Sequence, residues 1–62
     1  MNLLTNAPDI MTVMEAAKVL KVGRSTMYQL IRSGAVKHVR IGKKILIPRE
    51  YLRLFLETEE RG

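Results

Sequence analysis

The chain has 62 residues, no cysteine, eleven Lys+Arg against six Asp+Glu, and a formal net charge of +5. A chain this short buries only about 60% of the surface its unfolded form exposes, which leaves room for one domain of about 3–5 kcal/mol stability. Without cysteine, neither a disulfide nor a thiolate metal site staples that domain. The start, MNLLTNAPDI, carries no basic leader, and the apolar run Ile45-Leu46-Ile47 is cut by Pro48, far below a membrane span. The expectation is a soluble, cytoplasmic protein.

The charge is unevenly placed. Between Lys18 and Arg53 lie ten basic residues and one acid, Glu50, while the ends are acidic. A polyanion such as duplex DNA binds a field of this kind by releasing condensed counterions, with an affinity that falls steeply with salt. Anionic lipid would answer to the same field, and an ordinary solvated face would carry it too.

In chain order, Thr12 followed by Glu15 forms a capping box, T-x-x-E, which predicts a helix starting near Val13. Val13, Ala16, Ala17 and Leu20 then recur at helical spacing. The two alanines in this stripe let a second helix approach closely. After Lys21-Val22-Gly23 that second helix follows, with Met27, Leu30 and Ile31 inward and Gly34 as its stop. Val22 fills the gap where the two helices cross. The pair has the size and chemistry to put one helix into a DNA major groove.

A hairpin is predicted over Val36 to Ile47. A two-residue loop at Gly42-Lys43 would pair Ile41 with Lys44 and Arg40 with Ile45, mixing charged and apolar side chains. A three-residue loop, Gly42-Lys43-Lys44, pairs Ile41 with Ile45 and Val39 with Ile47 on one apolar face, and is the pairing expected here. The hairpin then has the shape of a wing with two lysines at its tip. Pro48 suits the first position of a third helix, Glu50 suits its positive end, and Tyr51, Leu52 and Phe55 close the core. Leu54 and Leu56 sit partly off that stripe, and Glu57 to Glu60 form a fraying, solvated tail. The fold class is α+β: a small winged helix-turn-helix with a two-stranded antiparallel hairpin wing and a C-terminal helix. Its expected boundaries are a flexible N-terminal segment (residues 1–10), the domain (11–57) and a flexible acidic tail (58–62).

From Met11 to Leu56 the chain resembles the excisionase family of DNA-binding proteins, relatives of the MerR-type winged helix-turn-helix regulators. The likeness is carried by Thr12-Val13-Met14-Glu15-Ala16-Ala17, Val22-Gly23-Arg24-Ser25-Thr26-Met27-Tyr28, Ile31-Arg32-Ser33-Gly34, Val39-Arg40-Ile41-Gly42 and Ile47-Pro48-Arg49-Glu50-Tyr51-Leu52. Two positions depart from the pattern. Lys21 stands where such turns commonly have glycine, which costs about 1 kcal/mol or more if the backbone there is left-handed. Gly23 stands where a capping serine is expected and offers no side-chain oxygen.

The resemblance implies a recognition helix presenting Arg24, Ser25, Thr26, Tyr28, Gln29 and Arg32, and a wing presenting His38, Arg40, Lys43 and Lys44. Arginine can fork onto guanine and glutamine onto adenine, while Ser, Thr and Tyr suit phosphate or mixed contacts. The ring of Tyr28 can instead pack over the hairpin, leaving its hydroxyl for a phosphate. Wing cations suit backbone or minor-groove contacts, and hairpin lysines also discourage edge-to-edge aggregation. His38, placed on a strand without cysteine or a second histidine, is expected to donate to a phosphate; no metal and no cofactor are expected.

Catalysis is not expected either. The one histidine lies among basic residues, the acids cluster at the ends, and the isolated glycines make no phosphate-cradling loop. The function implied is that of a recombination directionality factor of a mobile element, which binds duplex DNA, often as several cooperating copies. It bends that DNA so that a separate integrase, a tyrosine recombinase, performs excision. A small transcriptional repressor using the same module is the alternative within this chemistry. An adaptor docking a protein through Met14, Leu54, Leu56 and the acidic tail, or a membrane-surface peptide, would belong to other classes.

Overall fold

The computed structural model describes Leu4 and residues 6–61. The elements run β1 (Ile10–Thr12), α1 (Val13–Leu20), α2 (Arg24–Arg32), β2 (Val39–Ile41), β3 (Lys44–Pro48) and α3 (Arg49–Arg61). The three strands form one antiparallel sheet in the order β1-β3-β2. The fold is the expected winged helix-turn-helix with one strand more than the sequence reading supplies.

Local chemistry explains where the helices begin and end. The Glu15 amide donates to the Thr12 hydroxyl at 3.2 Å and the Thr12 amide donates to the Glu15 carboxylate at 2.9 Å, completing the capping box of α1. The helix closes at Lys21, whose backbone is left-handed at φ 60, ψ 42. There the Lys21 amide reaches the Lys18 carbonyl at 3.2 Å and the Val22 amide reaches the Ala17 carbonyl at 3.0 Å. These two bonds satisfy carbonyls that the helix end would otherwise leave free. α2 starts from the extended Gly23 and stops at Gly34, which has φ +84.

The core is built where these elements meet. Val13, Ala16 and Ala17 of α1 face Met27 and Ile31 of α2, and Met11, Val36, Ile47 and Leu52 complete the fully enclosed centre. Ala16 is wholly buried, so the small side chains bring the two helix backbones together. Val22, Leu20, Tyr51, Phe55 and Leu56 are half-buried and pack around this centre.

Several expectations are corrected. The hairpin loop has two residues: Ile41 pairs with Lys44, Arg40 with Ile45 and Val39 with Leu46. Purity of an apolar face does not set this register, because all three residues of β2 are exposed and the strand lies beyond the core. The turn sets it instead. Gly42 has φ +60 while Lys43 does not enter the left-handed region, the sign pattern of a two-residue hairpin turn whose twist matches the strands. Val36 lies outside the hairpin and is a core residue, and His38 precedes β2 rather than lying within it.

Pro48 ends β3 instead of opening α3. β3 is central in the sheet, but β2 stops alongside Leu46, so at Pro48 only β1 runs beside it and the missing N–H interrupts no ladder on the β2 side. β1 itself is the unexpected strand. It pairs Ile10 with Pro48, Met11 with Ile47 and Thr12 with Leu46. Of the segments expected to be flexible, residues 1–3, 5 and 62 lie outside the described residues. Within those segments Leu4 and Ala7 are buried in the core, Ile10 opens β1, and the α3 backbone continues through residue 61.

Arg49 fastens this N-terminal stretch. Its amide, the first of α3, donates to the Asp9 carbonyl at 2.7 Å. Its guanidinium donates to the Ala7 carbonyl at 3.1 Å and pairs with the Asp9 carboxylate at 3.0 Å. A cation counted with the basic belt is thus committed to structure.

Candidate nucleic-acid interface

Of nine residues in α2, only Met27 and Ile31 are buried, and none is acidic. The inward pair leaves the opposite face to Arg24, Ser25, Tyr28, Gln29 and Arg32, which line one open concavity along the helix. Their spacing puts all five on a single stripe, while Thr26 is exposed off that stripe. A nine-residue helix is about 13 Å long, comparable with the roughly 12 Å width of the DNA major groove. Gly23 caps α2 without a side-chain bond, so no protein side chain competes for the first amides.

The wing stands beside this helix. Lys43 and Lys44 at its tip and Arg40 on β2 are exposed. The Arg40 side chain turns toward its own hairpin, with Nε donating to the Gly42 carbonyl at 3.4 Å. Tyr28 joins the two parts: it belongs to the concavity along α2 and also faces, across a second groove, the hairpin residues Lys43, Lys44, Ile45 and Leu46. Its ring is partly exposed beside the hairpin.

The ion pairs sort the cations into two groups. Among the described residues, every ion pair involves Arg49 or Arg53: Arg49 with Asp9, and Arg53 with Glu50 and Glu57. Hydrogen bonding and charge from Arg53 hold the Glu50 carboxyl below its ordinary value, and the same carboxylate raises Arg53 in turn. Arg24, Arg32, Lys37, Arg40, Lys43 and Lys44 enter no ion pair among the described residues. Asp9, Glu50 and Glu57 therefore neutralise cations of the α3 side, and no ion pair among the described residues offsets the cations of α2 and the wing.

Residues 10–60 match the family model described as a helix-turn-helix domain. Over 55 residues the chain is 34% identical to an excisionase of Streptomyces ambofaciens, a match that covers 89% of this chain and 89% of that protein. The chain belongs to the excisionase family of helix-turn-helix proteins. It is also 50% identical over 40 residues to a probable excisionase of Saccharopolyspora erythraea, covering 64% of this chain but 41% of that longer relative. No solved structure gives a significant match.

In this excisionase-family chain, the structure gathers Arg24, Ser25, Tyr28, Gln29 and Arg32 on α2 and sets Lys43 and Lys44 next to Tyr28. His38 and Arg40 are exposed on the wing side but line neither groove, and Thr26 stands apart. Sequence reasoning did not place Met14 near the wing. The β1–β3 pairing brings the start of α1 beside the hairpin, and periodicity carries no signal for that contact. No described helix is long and apolar enough to cross a membrane.

Proposed function

We propose that this protein binds double-stranded DNA sequence-specifically and acts as a recombination directionality factor of a mobile element, bending DNA for a separate integrase of the tyrosine recombinase class. In this reading α2 enters the major groove. Arg24 and Gln29 reach base edges, while Ser25, Thr26, Tyr28 and Arg32 hold the flanking backbone. His38, Arg40, Lys43 and Lys44 contact phosphates or the adjacent minor groove, which fixes the register of the domain on the duplex.

The observation that carries the reading is the separation of charge: Asp9, Glu50 and Glu57 pair with Arg49 and Arg53, and the exposed cations of α2 and the wing enter no ion pair among the described residues. Each phosphate neutralised by such a cation contributes about −0.9 to the slope of log affinity against log salt. The names of the two relatives support the recombination role. Bond breaking and joining belong to the integrase, and this chain supplies geometry: a bound, bent duplex on which several copies can assemble.

The test is excision in vitro with a tyrosine recombinase from the element that carries the gene, on a substrate carrying that element's ends. Addition of this protein is expected to raise excision product and suppress the reverse reaction. DNA binding with no effect on either reaction would overturn the directionality role and leave the repressor reading.

A further inference from the structure

Met14 is the second residue of α1 and is 49% exposed, although it neighbours the wholly buried centre of the domain. It lines the groove of about 350 Å³ that separates Tyr28 from the wing, together with Lys43, Lys44, Ile45 and Leu46. No acidic residue lines this groove, and its two lysines are free of ion pairs among the described residues. Its lining is mostly apolar, and its charge comes from the two lysines. Both rims are exposed, so it cannot enclose the 70–90% of a small ligand's surface that a pocket buries.

An occupant with matching chemistry is an extended anion whose charges alternate with apolar segments. A sugar–phosphate strand is built that way, with deoxyribose between phosphates. The groove is continuous, through Tyr28, with the concavity of α2. The geometry points to one backbone strand of the duplex lying in this groove, its deoxyribose against Met14 and Tyr28 and its phosphates on Lys43 and Lys44. Met14 is then a DNA-positioning residue that holds the angle between α2 and the wing. This assignment rests on the DNA-binding reading above and adds to it a contact from α1 that is insensitive to salt.

The experiment follows methionine methyl resonances of the full chain during titration with duplex from the element's ends. Met11 and Met27 are wholly buried and serve as internal references. The Met14 methyl is expected to shift while those two stay. In parallel, Met14→Ala should weaken duplex binding about three- to tenfold, the loss expected on removing roughly half of a methionine's burial. The salt slope should stay unchanged, Met14→Leu should restore affinity, and the free Met14→Ala protein should remain folded at the binding temperature, having lost only the half of the side chain that already packs on the domain. Lys43→Ala should instead lower the slope by about one.

A still Met14 methyl and unchanged Met14→Ala affinity, with Lys43→Ala and Arg24→Ala both weakened, would overturn the groove assignment alone. No duplex binding by the unmodified chain at low salt would take down the DNA-binding reading and this assignment with it.

Discussion

Lys21→Gly should stabilise the protein although it removes a side chain. Lys21 is the only described non-glycine residue with positive φ, at 60°, where a side chain's Cβ crowds the following carbonyl. The left-handed conformation costs roughly 1–2 kcal/mol for such a residue, and glycine removes that cost. Glycine adds about 0.4–1 kcal/mol of unfolded-state entropy in return. The net gain is about 0.5–1 kcal/mol, which in a domain of this size raises the melting temperature by about 2–8 °C. The terminating bonds to Lys18 and Ala17 use backbone groups and survive the change.

Thermal unfolding followed by circular dichroism measures the effect. Lys21→Ala is the control for charge, since alanine keeps the strain and loses the same cation. Lys21 enters no ion pair among the described residues, so the control should melt within a few degrees of the original protein and gain nothing. A Lys21→Gly variant that melts no higher than the original, or a Lys21→Ala variant that gains as much, would refute the strain argument.

Arg49→Ala should cost about 1–2 kcal/mol in urea denaturation, because it removes a charge-assisted bond to the Ala7 carbonyl at a partly exposed site. Asp9→Asn should cost under about 1 kcal/mol, since the Asp9 carboxylate is largely solvated and the backbone bond from Arg49 remains. Glu50 should titrate below its ordinary 4.5 in an NMR pH series, and Arg53→Ala should return it upward. Because its folded value is depressed, the stabilisation it contributes is fully present above 4.5 and is lost as pH falls through the lower folded value. In DNA binding, Arg24→Ala should cost roughly 1–3 kcal/mol on the cognate site and little on random sequence. Equal losses on both would remove Arg24 from base reading.

What could be read from the chain was local. The capping box, the two alanines, Gly34 and the stripe from Arg24 to Arg32 are set within a few residues of one another, and each lies where its spacing places it. The departure at Lys21 was legible for the same reason: a turn that needs a left-handed residue needs it whatever the side chain. The hairpin register was not legible. Alternation fixes register where a face is buried, and Val39 and Ile41 remain exposed, so Gly42 and its turn decided instead. β1 was missed because three residues carry too little period, and its partner β3 is more than thirty residues away. Arg49 and Met14 share that origin. The first bonds to Ala7 and the second faces the hairpin, contacts that exist only after the ends of the chain have come together.

On the proposed function, the cations of α2 and the wing, which enter no ion pair among the described residues, form one surface for duplex DNA. Amide chemical-shift mapping with duplex from the element's ends tests it most directly. Shifts are expected to concentrate at residues 24–32 and 42–46 and to fade as salt rises, with the outer face of α3 around Glu50 and Arg53 unmoved. Shifts confined to α3, or none at Ser25 and Lys43 at low ionic strength, would contradict it.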